Sequence, residues 1–379
     1  MTATATRRPS GDDVVAEGRR GNRNADDGRF VVSPQGMAAR VAVLVGLLLL
    51  VLAIPVIVPD VYTNVVSRAA IYAIIALSMN VLVGYTGQVS LGHTAFVGVG
   101  AFASGYTMTE LGLPFGAGIA MSAFTGAVIA LGLGFVALRL AGLYLALVTI
   151  AFALFAQETL FNIRSLTGGG AGMPADRPAF LIDDTRYAYF CFFMLALVLA
   201  FDWRLTATRL GRAIRALRDD ERVAASWGVD VARFKLLAFV ISGILAGIAG
   251  ALFASTEQIV SAQDFTFGVS LTFLSMTVVG GAGNRWGVAQ GGALFAVLPT
   301  LLERAHENFH VIPFTWINAR FEPAIAALLL VLTLIFYPGG IAQQQAHLLR
   351  WLSFGPWKSH GGDDDKVAGI TGGSVGARP

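Results

Sequence analysis

Two histidines separated by three residues form the one pattern in this sequence that could hold a catalytic metal. Residues 306–310 read His-Glu-Asn-Phe-His. On a helix, this spacing places two imidazoles one turn apart, where they can bind zinc with the glutamate as general base. A third ligand would have to come from Glu303, Glu322 or elsewhere. A metalloprotease and adventitious metal binding at His306 and His310 both stay open, although we favour an ordinary exposed loop and predict no metal site.

A second group of polar residues borders a stretch that is broken by glycines. Residues 83–88 read Val-Gly-Tyr-Thr-Gly-Gln between two apolar runs. Such a sequence predicts a helix break or tight turn, which membrane proteins tolerate only where protein or water satisfies the backbone. Gln88, Ser90 and His93 border the break, and Glu158 is a further ionisable group within an apolar run. These four are candidates for lining a solute path, although His93 could equally be a packed histidine that donates one hydrogen bond.

No phosphate-binding loop is present in the sequence. The loop that cradles ATP phosphates has the pattern G-x-x-x-x-G-K-[ST], in which a lysine follows a glycine. The three lysines, Lys235, Lys358 and Lys366, each follow another residue type. If ATP drives this protein, it is bound on another chain. We therefore predict no cofactor and no catalytic residue here.

The elements that carry these residues are apolar throughout. Hydrophobic residues make up 55% of the chain and charged residues 13%, with a mean hydropathy of +0.66. A soluble domain carries about 25% charged residues. The net charge of +3 is too small to indicate nucleic-acid binding, and the single cysteine, Cys191, excludes an internal disulfide. The sequence predicts one all-α integral membrane domain.

Apolar runs of about 20 residues, the length that crosses a bilayer, predict ten transmembrane helices, with eight or nine as alternatives. The predicted spans are 41–58, 69–84, 93–109, 116–138, 142–163, 187–203, 236–255, 267–283, 287–303 and 323–338. Glu110, Asp202 and Glu303 fall at span ends, where an interfacial role is expected. Spans two to five and seven to ten would run in opposite directions, which is a possible inverted repeat.

Charge placement predicts the orientation. With both termini inside, 21 of the 27 Lys and Arg residues lie on the cytoplasmic side, as the positive-inside rule requires. The polar segments 1–36 and 343–379 are predicted to be cytoplasmic tails, the first disordered throughout and the second from about residue 358. Residues 37–342 then form the membrane domain. Its first apolar run begins too late for a cleavable signal peptide and should remain as an anchor.

The longest predicted cytoplasmic loop, residues 204–235, is strongly basic. Arg212, Arg215 and Arg218 recur at helical spacing, and the acidic residues 219–221 would begin a second short helix. From composition alone, two interpretations stay open. The loop could grip anionic lipid headgroups as an interfacial helix, or it could dock a partner protein.

A resemblance favours docking. Residues 211–229 (GRAIRALRDDERVAASWGV) and 235–242 (KLLAFVIS) resemble the signature of the high-affinity branched-chain amino acid ABC permeases, in particular their LivM-like subunit. Residues 80–93 (NVLVGYTGQVSLGH), 167–174 (TGGGAGMP), 279–283 (VGGAG) and 337–340 (YPGG) resemble further landmarks of that family, in its order. The resemblance covers about 38–342 and leaves out the two tails.

The resemblance implies a bacterial inner-membrane importer subunit. Its partners would be a second permease subunit, two cytoplasmic ATPases and a periplasmic solute-binding protein. Glu221, Ala224 and Gly228 match the spaced E-x-x-A-x-x-x-G pattern of the coupling helix, which sits in a cleft of the ATPase. Arg212, Arg215 and Arg218 would meet acidic groups on the ATPase or lipid phosphates. The implied ATPase-coupling residues are Gly211, Arg212, Arg215, Arg218, Asp219, Asp220, Glu221, Ala224, Ala225 and Gly228.

The solute and the energy source stay open at this point. Members of the family appear tuned to leucine, isoleucine and valine, and relatives serve urea, other amino acids or aromatic acids. The residues themselves do not choose among these solutes. A secondary carrier or channel that works without ATP is the alternative, and it would depend on Glu158 or His93.

Overall fold

The computed structural model describes residues 60–308 except 139 and 141, together with the isolated positions 55, 324, 327, 328, 331, 332 and 340–342. Within 60–308 the chain is almost entirely helical. The α-helices are α1 (Asp60–Thr86), α2 (His93–Thr109), α3 (Phe115–Ala137), α4 (Leu143–Glu158), α5 (Arg164–Thr167), α6 (Asp184–Ala207), α7 (Arg209–Asp219), α8 (Glu221–Ser226), α9 (Val231–Glu257), α10 (Phe267–Gly280) and α11 (Arg285–Asn308).

Eight of the predicted spans fall in this range, and each coincides with one helix. Five described helices are long and apolar enough to cross a bilayer, namely Tyr62–Thr86, Phe115–Ala137, Tyr144–Asn162, Asp184–Ala207 and Val231–Glu257. The all-α membrane architecture is confirmed. The spans predicted at 41–58 and 323–338, and both predicted tails, lie outside the described residues, so the count of ten stays a prediction.

Helix α1 begins nine residues before the predicted span, and an ion pair joins the end of this added stretch to α9. Arg68 lies 2.7 Å from Glu257, the last residue of α9. Ser242, twelve residues into α9, donates to the carbonyl of Ser78 at 2.8 Å. Since α1 positions later in the chain meet α9 positions earlier in the chain, the two helices are antiparallel.

The lengths of the helices agree with the possible inverted repeat. Helices α1 and α9 both have 27 residues, and each is followed by a shorter helix, α2 with 17 residues and α10 with 14. The first helix of each half packs on helices of the other half. Helix α9 packs mainly on α3 and α2, and α1 packs mainly on α11. The fourth segment of the second half lies outside the described residues.

Glycines allow α9 to approach its neighbours at backbone distance. A Cβ atom at Gly126 of α3 would lie 2.2 Å from the carbonyl oxygen of Gly243, and one at Gly250 would lie 2.1 Å from that of Val97 in α2. Lipid supplies no hydrophobic force between helices, so close packing of this kind has to hold the bundle together.

The two ends of the bundle differ. Helices α7 and α8 lie at one end, which we call the α7–α8 end. The opposite end carries residues 159–183 and a two-stranded ribbon of β1 (Met173–Pro174) and β2 (Ile259–Val260). Arg177 holds this ribbon end together. Its Nε donates to the carbonyl of Ser255 at 2.8 Å, and its guanidinium lies 4.2 Å from the ring of Tyr187.

Candidate functional site

Helix α7 is a capped amphipathic helix. The Thr208 hydroxyl accepts a hydrogen bond from the amide of Gly211 at 3.4 Å, which satisfies one free donor of the first turn. Gly211, Ile214 and Leu217 are buried at three-residue spacing, as expected for a helix that lies on the bundle. Arg212, Arg215 and Arg218 lie on the exposed side.

Helix α8 begins at Glu221, the last of the three acidic residues that were expected to begin it. Asp219 ends α7, and Asp220 has an extended backbone. Its Oδ1 accepts from the amides of Arg222 at 2.7 Å and Val223 at 3.2 Å. One aspartate therefore separates two helices and caps the second, which makes the link between them short and rigid.

An ion pair fixes α8 against the first turns of α9. A carboxylate oxygen of Glu221 lies 2.6 Å from the Lys235 ammonium, whose side chain is only 8% exposed. Ala224, on the same helix, is buried, whereas Ala225 is exposed. Two residues of the predicted coupling pattern, Glu221 and Ala224, therefore hold α8 in place from its inner face.

Gly228 is required by its backbone conformation. Its φ is +81°, in the left-handed region that favours glycine, and a Cβ there would meet nothing within 4 Å. The chain turns at this point from α8 into α9, with the amide of Val229 donating to Ala224 O at 3.1 Å. The orientation of α8 thus depends on a turn that other residue types adopt with strain.

The outer face of α8 is apolar and uncovered by the described residues. Trp227 is 84% exposed and Val223 is 54% exposed. They border a shallow hollow of about 430 Å³, whose lining consists of Ala216, Asp219, Asp220, Val223, Ala224, Trp227 and Val229. The sequence analysis missed Val223 and Trp227. The detectable signal was a tryptophan within an otherwise polar loop, since an exposed apolar patch marks an interaction site.

Three of the four arginines of α7 bind carbonyls of their own chain. Arg212 Nη1 donates to Ala207 O at 3.1 Å, and Arg215 Nη2 donates to Thr206 O at 2.7 Å. Arg218 Nη1 donates to Gly84 O, at the end of α1, at 2.6 Å. These contacts were not anticipated. Contacts of the arginines with a partner or with lipid stay predictions.

A buried charge pair lies beside these arginines. Arg285 Nε is 3.3 Å from Asp202 Oδ2, and the Tyr85 hydroxyl donates to the same carboxylate at 2.9 Å. Arg285 Nη2 also donates to the hydroxyl of Thr206 at 2.5 Å. The interfacial role expected for Asp202 is wrong, because the residue is 1% exposed and its charge is paired inside the bundle.

The predicted break follows α1. Residues 87–92 are not helical, and Gly87 has φ +70°. The hydroxyl of Ser78, about two turns before the end of α1, lies 2.6 Å from His93 Nε2 at the start of α2. The segment 87–92 therefore folds back along α1, and α2 begins within the bundle. The Thr149 hydroxyl accepts from Leu91 N at 3.0 Å, so a side chain replaces the missing helical partner.

The fold-back segment and the first two residues of α2 carry buried polar atoms that lack a hydrogen-bond partner among the described residues. These atoms are Gln88 Oε1 and Nε2, Ser90 Oγ, His93 Nδ1 and Thr94 Oγ1. All four side chains are less than 10% exposed. The side chains of Gln88, Ser90 and His93 are thus all buried, although Val89 between them is 41% exposed. Glu158 differs, since it is exposed at the end of α4 and accepts from Gln157 Nε2 at 3.1 Å.

The candidate metal pattern is left untested. The side chains of His306 and His310 lie outside the described residues. Among the side chains that the structure does describe, no group of three or more His, Cys, Asp or Glu residues could hold a metal ion.

Comparison with known proteins adds to this geometry. Residues 61–337 match the family model described as "Branched-chain amino acid transport system / permease component". The permease LivM of Escherichia coli K12 is 32% identical over 70% of this chain and 69% of its own length. A probable LivM of Methanocaldococcus jannaschii is 27% identical over 76% of this chain and 94% of its own length. The permease LivH of Escherichia coli K12 is 24% identical over 73% of this chain and 93% of its own length.

A solved structure also matches, at low similarity. It is PsaBC from Streptococcus pneumoniae in complex with Fab, with 14% identity and a TM-score of 0.39, covering 75% of this chain and 94% of the other. Similarity at this level does not bear on the fold.

Proposed function

Since the chain belongs to the branched-chain amino acid transport permease family, we propose that it is a membrane-spanning subunit of an ATP-binding cassette importer. Its solute would be a branched-chain amino acid or a related small polar compound. Residues 37–342 would form the permease domain. The chain would lie in a bacterial inner membrane with both termini in the cytoplasm, which puts the α7–α8 end on the cytoplasmic side.

The importer would contain several partners. We propose a second, homologous permease subunit, two cytoplasmic ATPases that bind and hydrolyse ATP, and a periplasmic solute-binding protein. The similarity to both LivM and LivH supports the permease pair. The ATPases would supply the phosphate-binding loop that this sequence lacks.

The observation that carries the proposal is the uncovered apolar face of α8. A helix of six residues held by a cap, an ion pair and buried Ala224 is rigid, yet Val223 on it and Trp227 directly after it are exposed. Buried aromatic anchors dominate the binding energy of protein interfaces. The face would therefore enter a cleft of the ATPase, and closure of the ATPases would push α8.

Movement of α8 would be passed to the membrane part. Helix α9 begins five residues after α8, runs to the ribbon end and packs on α1, α2 and α3. A rigid-body shift of these helices would open the bundle alternately at its two ends. Gln88, Ser90 and His93 would offer their free polar atoms to solute or water on the path. Glu158 is proposed only for the entrance at the ribbon end, because it is exposed there.

Affinity purification from native membranes tests the proposal. The tagged full chain is solubilised in detergent, and the co-purifying proteins are identified by mass spectrometry. We expect a second permease and ATPases, and uptake by the reconstituted complex that requires ATP. A chain that purifies alone and transports solute without ATP would instead be an autonomous carrier, and the proposal would be wrong.

A further inference from the structure

The contacts of α7 with the bundle converge on a small set of charged and polar groups at the α7–α8 end. We call this set the guanidinium hub, because three arginines hold it together. It comprises Asn80, Gly84, Tyr85, Asp202, Thr206, Arg215, Arg218, Gly283 and Arg285. It joins α7 to the ends of α1 and α6 and to the start of α11.

Arg218 binds a backbone carbonyl that the end of α1 leaves free. In a continued helix, Gly84 O would accept from the amide of Gln88, but that amide donates to Leu82 O at 3.0 Å. Arg218 Nη1 takes its place at 2.6 Å. A cation at this position also interacts favourably with the negative end of the helix dipole.

The same guanidinium lies against the turn between α10 and α11. A Cβ at Gly283 would be 2.5 Å from Arg218 Nη1, so the guanidinium occupies the space beside this glycine, whose φ of +97° itself favours glycine. Gly283 N also donates to Asn80 Oδ1 of α1 at 2.7 Å. Arg218 therefore lies in a junction where α1 and the α10–α11 turn are already joined.

Arg215 makes a second, parallel connection. It donates to the carbonyl of Thr206, whose hydroxyl accepts from Arg285. Arg285 pairs with Asp202, which in turn accepts from Tyr85. The series runs from α7 through α6 and α11 and returns to α1 at the residue after Gly84.

These contacts differ in kind from the apolar contacts of α7. Ile214 and Leu217 are at most 2% exposed and hold the helix on the bundle without Arg218. Apolar surfaces are non-directional and allow packed helices to slide past one another. A charged hydrogen bond to a helix carbonyl has a fixed geometry, so a shift of α7 must either carry α1 with it or break the bond.

We infer that Arg218 is a positioning residue that transmits movement of α7 and α8 to α1 and the α10–α11 turn. The inference rests on the proposed function, since it presupposes an ATPase that moves α8. The expected consequence is a movement of residues 87–92, which follow α1. The fold-back segment 87–92 leaves α1 directly after the hub, so movement of the end of α1 moves the free polar atoms of Gln88 and Ser90.

Three variants test this in the complete importer, reconstituted in proteoliposomes with its co-purified partners. They are Arg218→Ala, the conservative Arg218→Lys, and Arg209→Ala as a matched control. Arg209 is exposed at the start of the same helix, and its loss changes the charge equally. Co-purification of the ATPase, ATP hydrolysis and solute uptake are measured for each variant.

We expect Arg218→Ala to keep the ATPase bound and its hydrolysis within about twofold, while uptake falls at least about tenfold, as for the loss of a charged hydrogen bond. Arg218→Lys should recover part of the uptake, because an ammonium can still donate to Gly84 O but cannot also fill the junction at Gly283. Arg209→Ala should behave like the wild type. Parallel loss of ATPase binding, hydrolysis and uptake in Arg218→Ala would overturn the inference and assign Arg218 to docking. Unchanged uptake would also overturn it.

A conformational readout separates transmission from simple destabilisation. Ser90→Cys is introduced, and its reaction with a small thiol reagent is followed with and without ATP and vanadate. Cys191, the single native cysteine, is buried, so the background should be low. With Arg218 present, labelling of Cys at position 90 should change with nucleotide, whereas Arg218→Ala should remove the change. If the importer with Arg218 intact contains no ATPase and shows no ATP-dependent uptake, the proposed function itself is wrong. If it has both and only the effect of Arg218→Ala is missing, the inference about transmission alone is wrong.

Discussion

Glu221 and Lys235 form an ion pair that joins helix α8 to helix α9 at the α7–α8 end of the bundle. The ammonium of Lys235 is largely enclosed, and its partner is a carboxylate on a separate helix. An enclosed charge is tolerated when it is paired and becomes costly when its partner is removed. The pair therefore specifies where α8 sits relative to α9.

A charge exchange tests this role. Glu221→Lys should lower ATP-dependent uptake at least about tenfold, because it leaves two cations facing each other. The double variant Glu221→Lys, Lys235→Glu restores an opposite-charge pair and should recover a substantial part of the uptake. If the double variant is as inactive as the single one, Glu221 contacts the partner directly and the ion pair is incidental.

Gly228 permits a prediction about the backbone alone. A Cβ at this position meets no atom of the described residues within 4 Å, so within this part of the chain a substitution acts through φ. Gly228→Val forces a β-branched residue into the left-handed region, at a cost of about 1–2 kcal/mol, and should reduce uptake and ATPase co-purification about tenfold. Gly228→Asn is the control, because asparagine tolerates this region, and it should stay within about twofold of the wild type. Equal losses in both variants would contradict the conformational explanation.

Among the helices, α8 combines a fixed inner face with a free outer face. Its cap, its ion pair and buried Ala224 belong to the bundle, whereas Val223 is 54% exposed and Trp227, directly after the helix, is 84% exposed. A large exposed aromatic residue on so short a helix has a clear use only when a partner covers it.

Trp227→Asp should therefore reduce ATPase co-purification at least about tenfold, because it removes an apolar anchor of about 150–250 Å² and adds a charge. Insertion in the membrane and elution as a folded complex with the second permease should be unchanged. Phe180→Asp is the matched control, since Phe180 is 65% exposed but lies in the segment at the ribbon end. Retention of the ATPase by Trp227→Asp, or its equal loss in both variants, would reject α8 as the docking helix.

At the scale of the whole molecule, the bundle depends on close backbone contacts between its two halves. Helix α9 meets α2 and α3 at glycines, and lipid offers no alternative driving force for their association. Stability of the bundle and the freedom of its halves to shift thus depend on the same narrow contacts.

Alanine substitutions at two glycines of α3 distinguish an effect on helix packing from an effect on helix propensity. Gly126→Ala should lower the free energy of unfolding by about 1–3 kcal/mol, because the new methyl group would lie 2.2 Å from a backbone oxygen that cannot rotate away. Gly132→Ala should be neutral or slightly stabilising, since a Cβ there meets no atom of the described residues within 4 Å and alanine favours the helix. Thermal unfolding of the purified complex measures both, and equal effects would contradict the packing explanation.

Prediction of the site was more successful for local features than for contacts. The second helix at the acidic cluster and the break after α1 followed from the preference of acidic residues for helix N-termini and from glycine, which act between neighbours in the sequence. The wrong expectation for Asp202 arose because its partners, Tyr85 and Arg285, are 117 and 83 positions away. Position within a span shows that a charge is near a helix end, but not whether a partner faces it.

The sequence by itself determined the all-α bundle and eight of its helices, because the bilayer requires about 20 apolar residues per span and internal hydrogen bonding of the backbone. It also indicated that the basic loop contains two helices, whereas the structure decided that they divide at Asp220. Only the tertiary structure decided that α2 begins inside the bundle, that Arg218 reaches Gly84 across 134 residues, and that Asp202 is paired. Those outcomes depend on which helices pack together, and small residues such as Gly126 and Gly243 allow that packing without identifying the partner.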